Sequence, residues 1–134
     1  MSDRGEKEPV WLTDVQVRML HAEALNLFGG TRGLRDAALL ESAIARPIHV
    51  WSYRDGATIF DLAASLGFGI AKNHAFVDGN KRTALLAVRA FLFRNGYRFE
   101  PDEIETVSVM EGVAGGTVTE EILAGWIARS CKQR

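Results

Sequence analysis

Apolar residues recur at intervals of three and four along most of the chain, and helix start signals sit between the runs. Thr13 and Gln16 form a capping-box pattern ahead of Val17, Leu20, Ala24, Leu27 and Phe28, and Gly29-Gly30 stops that helix. Asp36 is placed to cap a second helix carrying Leu39, Leu40, Ala43 and Ile44. Because a proline disfavours helical backbone in the residue before it, this helix is expected to end before Pro47. Residues 47–57 form the least helical stretch and predict a loop or a short strand-like flap. Thr58 with Asp61 opens a third helix, on which Ile59, Leu62, Leu66 and Ile70 share one face and Asp61, Ser65 and Lys72 another. From Asn80 to Asn95 the wheel is apolar almost all round, with Leu85, Leu86, Val88, Phe91, Leu92 and Phe93, which predicts a central buried helix capped by Gly96. Pro101 fits the first position of a fifth helix bearing Ile104, Val107 and Met110, which Gly112 to Gly116 would end. Thr117 with Glu120 opens a sixth, with Ile122, Leu123, Trp126 and Ile127. No run alternates in polarity as a half-buried strand would. The expected fold is all-α, one bundle of about six helices around the 80–95 helix.

Composition narrows what such a bundle can be. A chain of 134 residues supports one domain, here expected over 10–134, behind a flexible polar lead-in over 1–9. With 47% hydrophobic and 25% charged residues the composition is globular, which excludes disordered and fibrous classes. A net charge of −1 gives no basic surplus for direct nucleic-acid binding. The single cysteine, Cys131, permits no internal disulfide and suits a reducing compartment. The most apolar stretch, Leu62 to Ala71, is far too short to span a membrane, and Met1 to Glu8 lacks an apolar signal region, so a cytoplasmic protein is expected. Three histidines and one cysteine, scattered, give no zinc-ligand spacing.

Candidate chemistry concentrates in His74-Ala75-Phe76-Val77-Asp78-Gly79-Asn80-Lys81-Arg82, which leads into the N-terminus of the 80–95 helix. A helix N-terminus exposes unpaired N–H groups and partial positive charge, which suits phosphate. Gly79 lets a ligand approach the backbone, and Asn80, Lys81 and Arg82 add donors and two positive charges at the same end. Cations in a first turn oppose the helix dipole by roughly 0.3–1 kcal/mol each, so two in succession suggest that an anion completes the site. His74 supplies a candidate general base and Asp78 a hard oxygen ligand for Mg²⁺. Arg89 projects within about 20° of Arg82 on the wheel and is either a further phosphate contact or an ion-pair partner. Taken singly, each residue also has a plain structural role: Asp78 as an N-cap, Gly79 as a turn residue, Lys81 and Arg82 as solvated charges. Their convergence favours an anion or nucleotide site, and on residue chemistry alone catalysis stays open.

The stretch His74 to Thr83 resembles the signature of the Fic/Doc family, H-x-F-x-[D/E]-[G/A]-N-[G/K]-R, and most closely that of the death-on-curing (Doc) toxins of bacterial toxin–antitoxin pairs. Gly29-Gly30, Gly33-Leu34-Arg35-Asp36, Leu40-Glu41-Ser42-Ala43, Arg46-Pro47 and Asn95-Gly96 add to the likeness, which runs from about Trp11 to Gly96. The resemblance implies an all-helical fold and transfer of part of ATP to a protein hydroxyl. It implies His74 as the catalytic base and Asp78 as the holder of Mg²⁺. Asn80, Lys81, Arg82 and the backbone near Gly79 would bind phosphate oxygens, with Phe76 as a buried anchor. Nucleotidylating Fic proteins have a glycine where Lys81 stands and a second arginine where Leu85 stands. Doc-type members share both changes, which implies an inverted ATP that donates its γ-phosphate to a Ser or Thr, in Doc relatives of an elongation factor, so that translation stops.

Trp51 and Tyr53, expected in a non-helical flap near His74, are candidates for docking the target protein, whereas His21 and His49 read as structural. The Arg35-Asp36 pair reads as fixing a loop and capping a helix. Neither Ser2 to Glu6 nor Thr117 to Glu121 fits the family's internal inhibitory helix. Restraint is therefore expected from another chain, and the resemblance implies a small antitoxin whose disordered tail folds into a groove on this one. The alternatives are a Fic-type AMP transferase and a non-catalytic helical module that binds an anion or partner.

Overall fold

The computed structural model describes residues 7–134 and is all-helical apart from one short ribbon. Of the expected lead-in, residues 1–6 lie outside the described residues; Glu8 accepts a hydrogen bond from the Trp11 indole, 2.7 Å away. Six helices follow in order: α1 (Asp14–Phe28), α2 (Ala37–Tyr53), α3 (Ile59–Asn73), α4 (Asn80–Arg94), α5 (Glu103–Gly115) and α6 (Glu120–Arg129). Their starts are largely those the side chains dictate. Thr13 with Gln16 and Thr58 with Asp61 form full capping boxes on α1 and α3, and Asp36 caps α2. Asp102 and Thr119 cap α5 and α6, so Pro101 precedes its helix and α6 opens two residues later than Thr117 would place it. On α5, Ile104 and Val107 face solvent, and Thr106, Met110 and Val113 are buried instead.

Two expectations are overturned. First, α2 does not stop before Pro47 but runs through it to Tyr53, absorbing most of the stretch expected to be a loop or flap. Proline removes one hydrogen bond, to the carbonyl four residues back. Here Ala43 and Pro47 are buried and Ala43 lies against Gly69 of α3, and that packing outweighs the lost bond.

Second, the innermost helix is α3 rather than α4. It buries Leu62 through Gly67 without a break, then Gly69, Ile70 and Ala71, and packs against α2, α4, α5 and α6. Its small residues bring the neighbours close. A Cβ on Gly67 would lie 2.6 Å from Val88 Cγ2, and one on Gly69 would lie 3.2 Å from Ala43 Cα. Such residues score low on a hydrophobic wheel yet mark the tightest helix contacts. Helix α4 leaves Arg82, Arg89, Phe93 and Arg94 exposed while burying Ala84, Ala87, Val88, Phe91 and Leu92.

Two three-residue strands, unforeseen by any alternation, form an antiparallel ribbon: β1 (Tyr97–Phe99) and β2 (Cys131–Gln133), with Arg98 opposite Lys132. It ties the C-terminus to the end of α4. Burial raises the Cys131 thiol to about 11, so it stays protonated and unreactive at neutral pH. No helix among the described residues is long and apolar enough to cross a membrane.

Candidate active site

The site forms where α3 ends and α4 begins. His74 terminates α3 in left-handed backbone, φ 52° and ψ 47°, the one non-glycine residue among those described with positive φ. Ala75 and Phe76 then turn inward and are buried. The Phe76 ring stacks on His21 with centroids 3.8 Å apart and planes 8° from parallel. His21 is itself buried, and its Nε2 lies 2.8 Å from the Asp78 carbonyl, which requires the hydrogen on Nε2 if it donates. Buried Asn80 closes the loop from the other side. Its Oδ1 accepts from the Phe76 N–H at 3.1 Å and its Nδ2 donates to the Phe76 carbonyl at 2.9 Å. Both polar atoms of the side chain expected to bind phosphate are thus engaged in shaping the loop.

The α1–α2 connection, residues 29–36, runs alongside and fixes this loop from outside. The Val77 N–H donates to Gly33 O at 3.0 Å, and the Arg35 and Asp36 N–H groups both donate to Ala75 O, at 2.7 and 3.0 Å. Leu34 stands opposite Phe76 in an isolated antiparallel bridge. Gly30 makes the approach possible: at φ +126° it tolerates a backbone few residues adopt, and a Cβ there would sit 2.9 Å from Asp78 Oδ2.

Asp78 is exposed, yet each carboxylate oxygen accepts a backbone hydrogen bond, Oδ2 from Thr31 at 3.0 Å and Oδ1 from Gly79 at 2.9 Å. These two bonds, the Thr31 one foremost, hold the carboxyl below its ordinary 3.8; nearby Arg82 and His21 add to the effect against partial desolvation. The carboxylate is therefore fully ionised at neutral pH.

Helix α4 starts from Gly79 at φ 78° with no side-chain cap and no acidic residue in its first turn. The N–H groups of Asn80, Lys81 and Arg82 find no acceptor among the described residues. Lys81 Nζ pairs with Glu111 of α5 at 2.5 Å, and the Arg82 guanidinium lies 4.3 Å from the centre of the exposed Phe28 ring. Leu85 packs against the core, leaving no charge at its position.

His74 and Asp78 therefore lie exposed in the loop that leads into α4, Gly79, Lys81 and Arg82 form its first turn, and Asn80 is buried behind it. Arg89 is exposed two turns further on, about 10 Å along the helix. Trp51 and Tyr53 do not join them. They occupy the last turn of α2, beside the start of α3, and the full length of α3, about 22 Å, separates that end from His74. A hollow of about 690 Å³ also lies at that far end, lined by Trp51, Phe60, Arg94 and Tyr97 among others. Sequence reasoning missed Thr31, Gly30 and Glu111 as site residues. Only the glycine spacing at Gly29, Gly30 and Gly33 signalled that this connection carries more than a turn.

The site suits Mg²⁺ bound through phosphates. Among the described residues no three His, Cys, Asp or Glu side chains gather to cage a metal, and Mg²⁺ commonly takes one or two carboxylates plus phosphate oxygens. Asp78 offers one ionised carboxylate with lone pairs beyond its two hydrogen bonds.

Comparison with known proteins agrees in where it places the likeness. The sequence pattern of the family described as Fic/DOC matches residues 11–92. The protein named Toxin Doc of Mycolicibacterium smegmatis is 45% identical over 76 residues, covering 56% of this chain and 58% of that protein. The chain thus spans less than two thirds of that relative's length. Protein kinase doc of Escherichia phage P1 is 32% identical over 111 residues, covering 82% of this chain and 86% of that protein.

Proposed function

Because this chain belongs to the Fic/Doc family, we propose that it is the toxin of a toxin–antitoxin pair that transfers the γ-phosphate of ATP to a Ser or Thr hydroxyl of a protein. The proposed target is a translation elongation factor, and the consequence is arrest of translation in the cytoplasm. The names of the two relatives, a toxin and a protein kinase, support this reading.

In the proposed reaction the His74 imidazole accepts the proton of the target hydroxyl. The hydroxyl oxygen bonds to the γ-phosphorus as the bond to the bridging oxygen breaks, and ADP leaves. Asp78 would hold Mg²⁺, which when bound offsets charge on the phosphates. The first-turn N–H groups of α4, with Lys81 and Arg82, would take phosphate oxygens, while Asn80, Phe76 and His21 keep the loop in shape. Catalysis of this kind rests mainly on positioning and charge neutralisation, with a base adding typically ~10²–10⁴-fold. Lys81 where AMP-transferring relatives carry glycine, and Leu85 where they carry arginine, favour γ-transfer. A cognate antitoxin with a disordered inhibitory tail is the proposed source of restraint, since Thr117 to Glu121 does not fit the family's inhibitory helix and Leu85 stands where its arginine partner would be.

The observation that carries the proposal is an uncapped, doubly cationic helix mouth beside an exposed histidine held in left-handed backbone. The test is incubation of the purified protein with Mg²⁺, bacterial lysate and ATP labelled at either the α- or the γ-phosphate. Protein labelled only from γ-labelled ATP is expected. Label arriving from the α-phosphate would make it an AMP transferase. Growth arrest that survives His74→Asn without any labelling would make it a binding module.

A further inference from the structure

The geometry points to Arg35 as a positioning residue that sets the direction of the His74 imidazole; this rests on the reading of His74 as the base. The Arg35 side chain donates from both Nε and Nη2 to the one carbonyl oxygen of His74, the Nε bond measuring 3.0 Å. One peptide further on, the Arg35 backbone N–H takes the Ala75 carbonyl at 2.7 Å. A single residue thus holds two successive carbonyls of the loop, from 39 positions away in sequence.

His74 needs such a hold. Left-handed backbone costs a non-glycine residue roughly 1–2 kcal/mol, and nothing in α3 requires the helix to end this way. The imidazole is exposed and makes no hydrogen bond to the described residues, so its backbone, which sets the direction of the Cα–Cβ bond, is what limits where the ring can go. A rotation of the 74–75 peptide would change the placement of the His74 Cβ relative to the start of α4. The pinning bonds are solvent-exposed, so they contribute little to global stability. A forked donor on one oxygen fixes the peptide plane as a single ammonium does not. Asp36, next in sequence, has the separate task of capping α2 through the Leu39 N–H.

The test compares wild type, Arg35→Lys, Arg35→Gln, His74→Asn and the Arg35→Gln/His74→Asn double variant. Transfer from γ-labelled Mg-ATP to lysate protein is measured beside the His Cε1–H resonances by NMR. Arg35→Gln is expected to lower turnover about 10²-fold, with the KM for ATP within about twofold, since a small misplacement of a reacting group suffices for that loss. Arg35→Lys is expected to recover part of it, and the double variant to be no slower than His74→Asn alone. In Arg35→Gln the His74 resonance is expected to move or broaden while that of His49 stays. A rise in KM with unchanged turnover would make Arg35 a ligand contact and overturn the positioning role. So would turnover within twofold of wild type, or an unmoved His74 signal. Should wild type transfer no phosphate at all, the kinase reading fails by itself. The NMR comparison, which needs no substrate, still decides whether Arg35 orients His74, and Arg35→Lys supplies it if Arg35→Gln does not fold.

Discussion

Helices α3 and α4 are packed against each other and are both 15 residues long, yet they begin in opposite ways. At the start of α3, Thr58 and Asp61 satisfy each other's backbone groups and an acid faces the positive end of the dipole. At the start of α4 there is a left-handed glycine, no side-chain cap, and two cations where the dipole disfavours them. The other described helices all follow α3, with Thr13, Asp36, Asp102 and Thr119 as caps. One end is built for folding. The other forgoes the same stabilisation and keeps its amides facing solvent, supported from behind by Asn80, His21 and the residue 29–36 connection.

The contrast predicts that variants at the two ends separate stability from activity. The largest effect is expected for His74→Asn, which keeps a residue tolerant of left-handed backbone but removes the base. Phosphate transfer should fall by about 10²–10⁴-fold with little change in melting temperature. Next, Arg82→Gln should weaken Mg-ATP binding by roughly 10–100-fold, the loss of one charge-assisted contact. Its stability should stay within about 0.5 kcal/mol, because relief of the dipole offsets the lost stacking on Phe28. Calorimetric titration and thermal unfolding of the same sample measure both. Thr58→Ala should do the reverse, costing about 1 kcal/mol in denaturant unfolding while leaving Mg-ATP affinity unchanged.

The smallest effect is one of pH. Asp78 titrates below its ordinary 3.8 in the folded protein, so its contribution to stability is full above that value and is lost as pH falls through the lower folded value. Asp78→Asn should therefore lower stability slightly at neutral pH and flatten the acid limb of the stability profile below about pH 4. An acid limb identical to wild type would mean that the Thr31 and Gly79 bonds do not favour the ionised form.

The sequence made the local features legible and the long-range ones not. Thr13, Asp36 and Thr58 announce helix starts because a cap acts within three residues, and the sequence from His74 to Arg82 places the helix mouth for the same reason. Pro47 misleads because its local cost is outweighed by packing of α2 on α3, and with that error Trp51 and Tyr53 were expected at the wrong end of the molecule. The inward position of α3 is legible in the apolar run from Leu62 to Ala71, but its alanines and glycines, which make its closest contacts, carry less weight on a wheel than the large residues of α4. The ribbon of β1 and β2 is too short to show a period. At the site, the pairing of Glu111 with Lys81 spans 30 residues, and Thr31 reaches Asp78 across 47. Neither distance leaves a trace in local pattern.

The central claim is that the N-terminus of α4 receives the phosphate chain of ATP. Titrating ¹⁵N-labelled protein with Mg-ATP and following the backbone amides tests it most directly. The account predicts saturable shifts centred on Gly79, Asn80, Lys81 and Arg82, reduced strongly by Arg82→Gln and untouched by Thr58→Ala. Saturable shifts confined to the far hollow around Trp51 and Tyr97, with the amides of 79–82 unmoved, would contradict it.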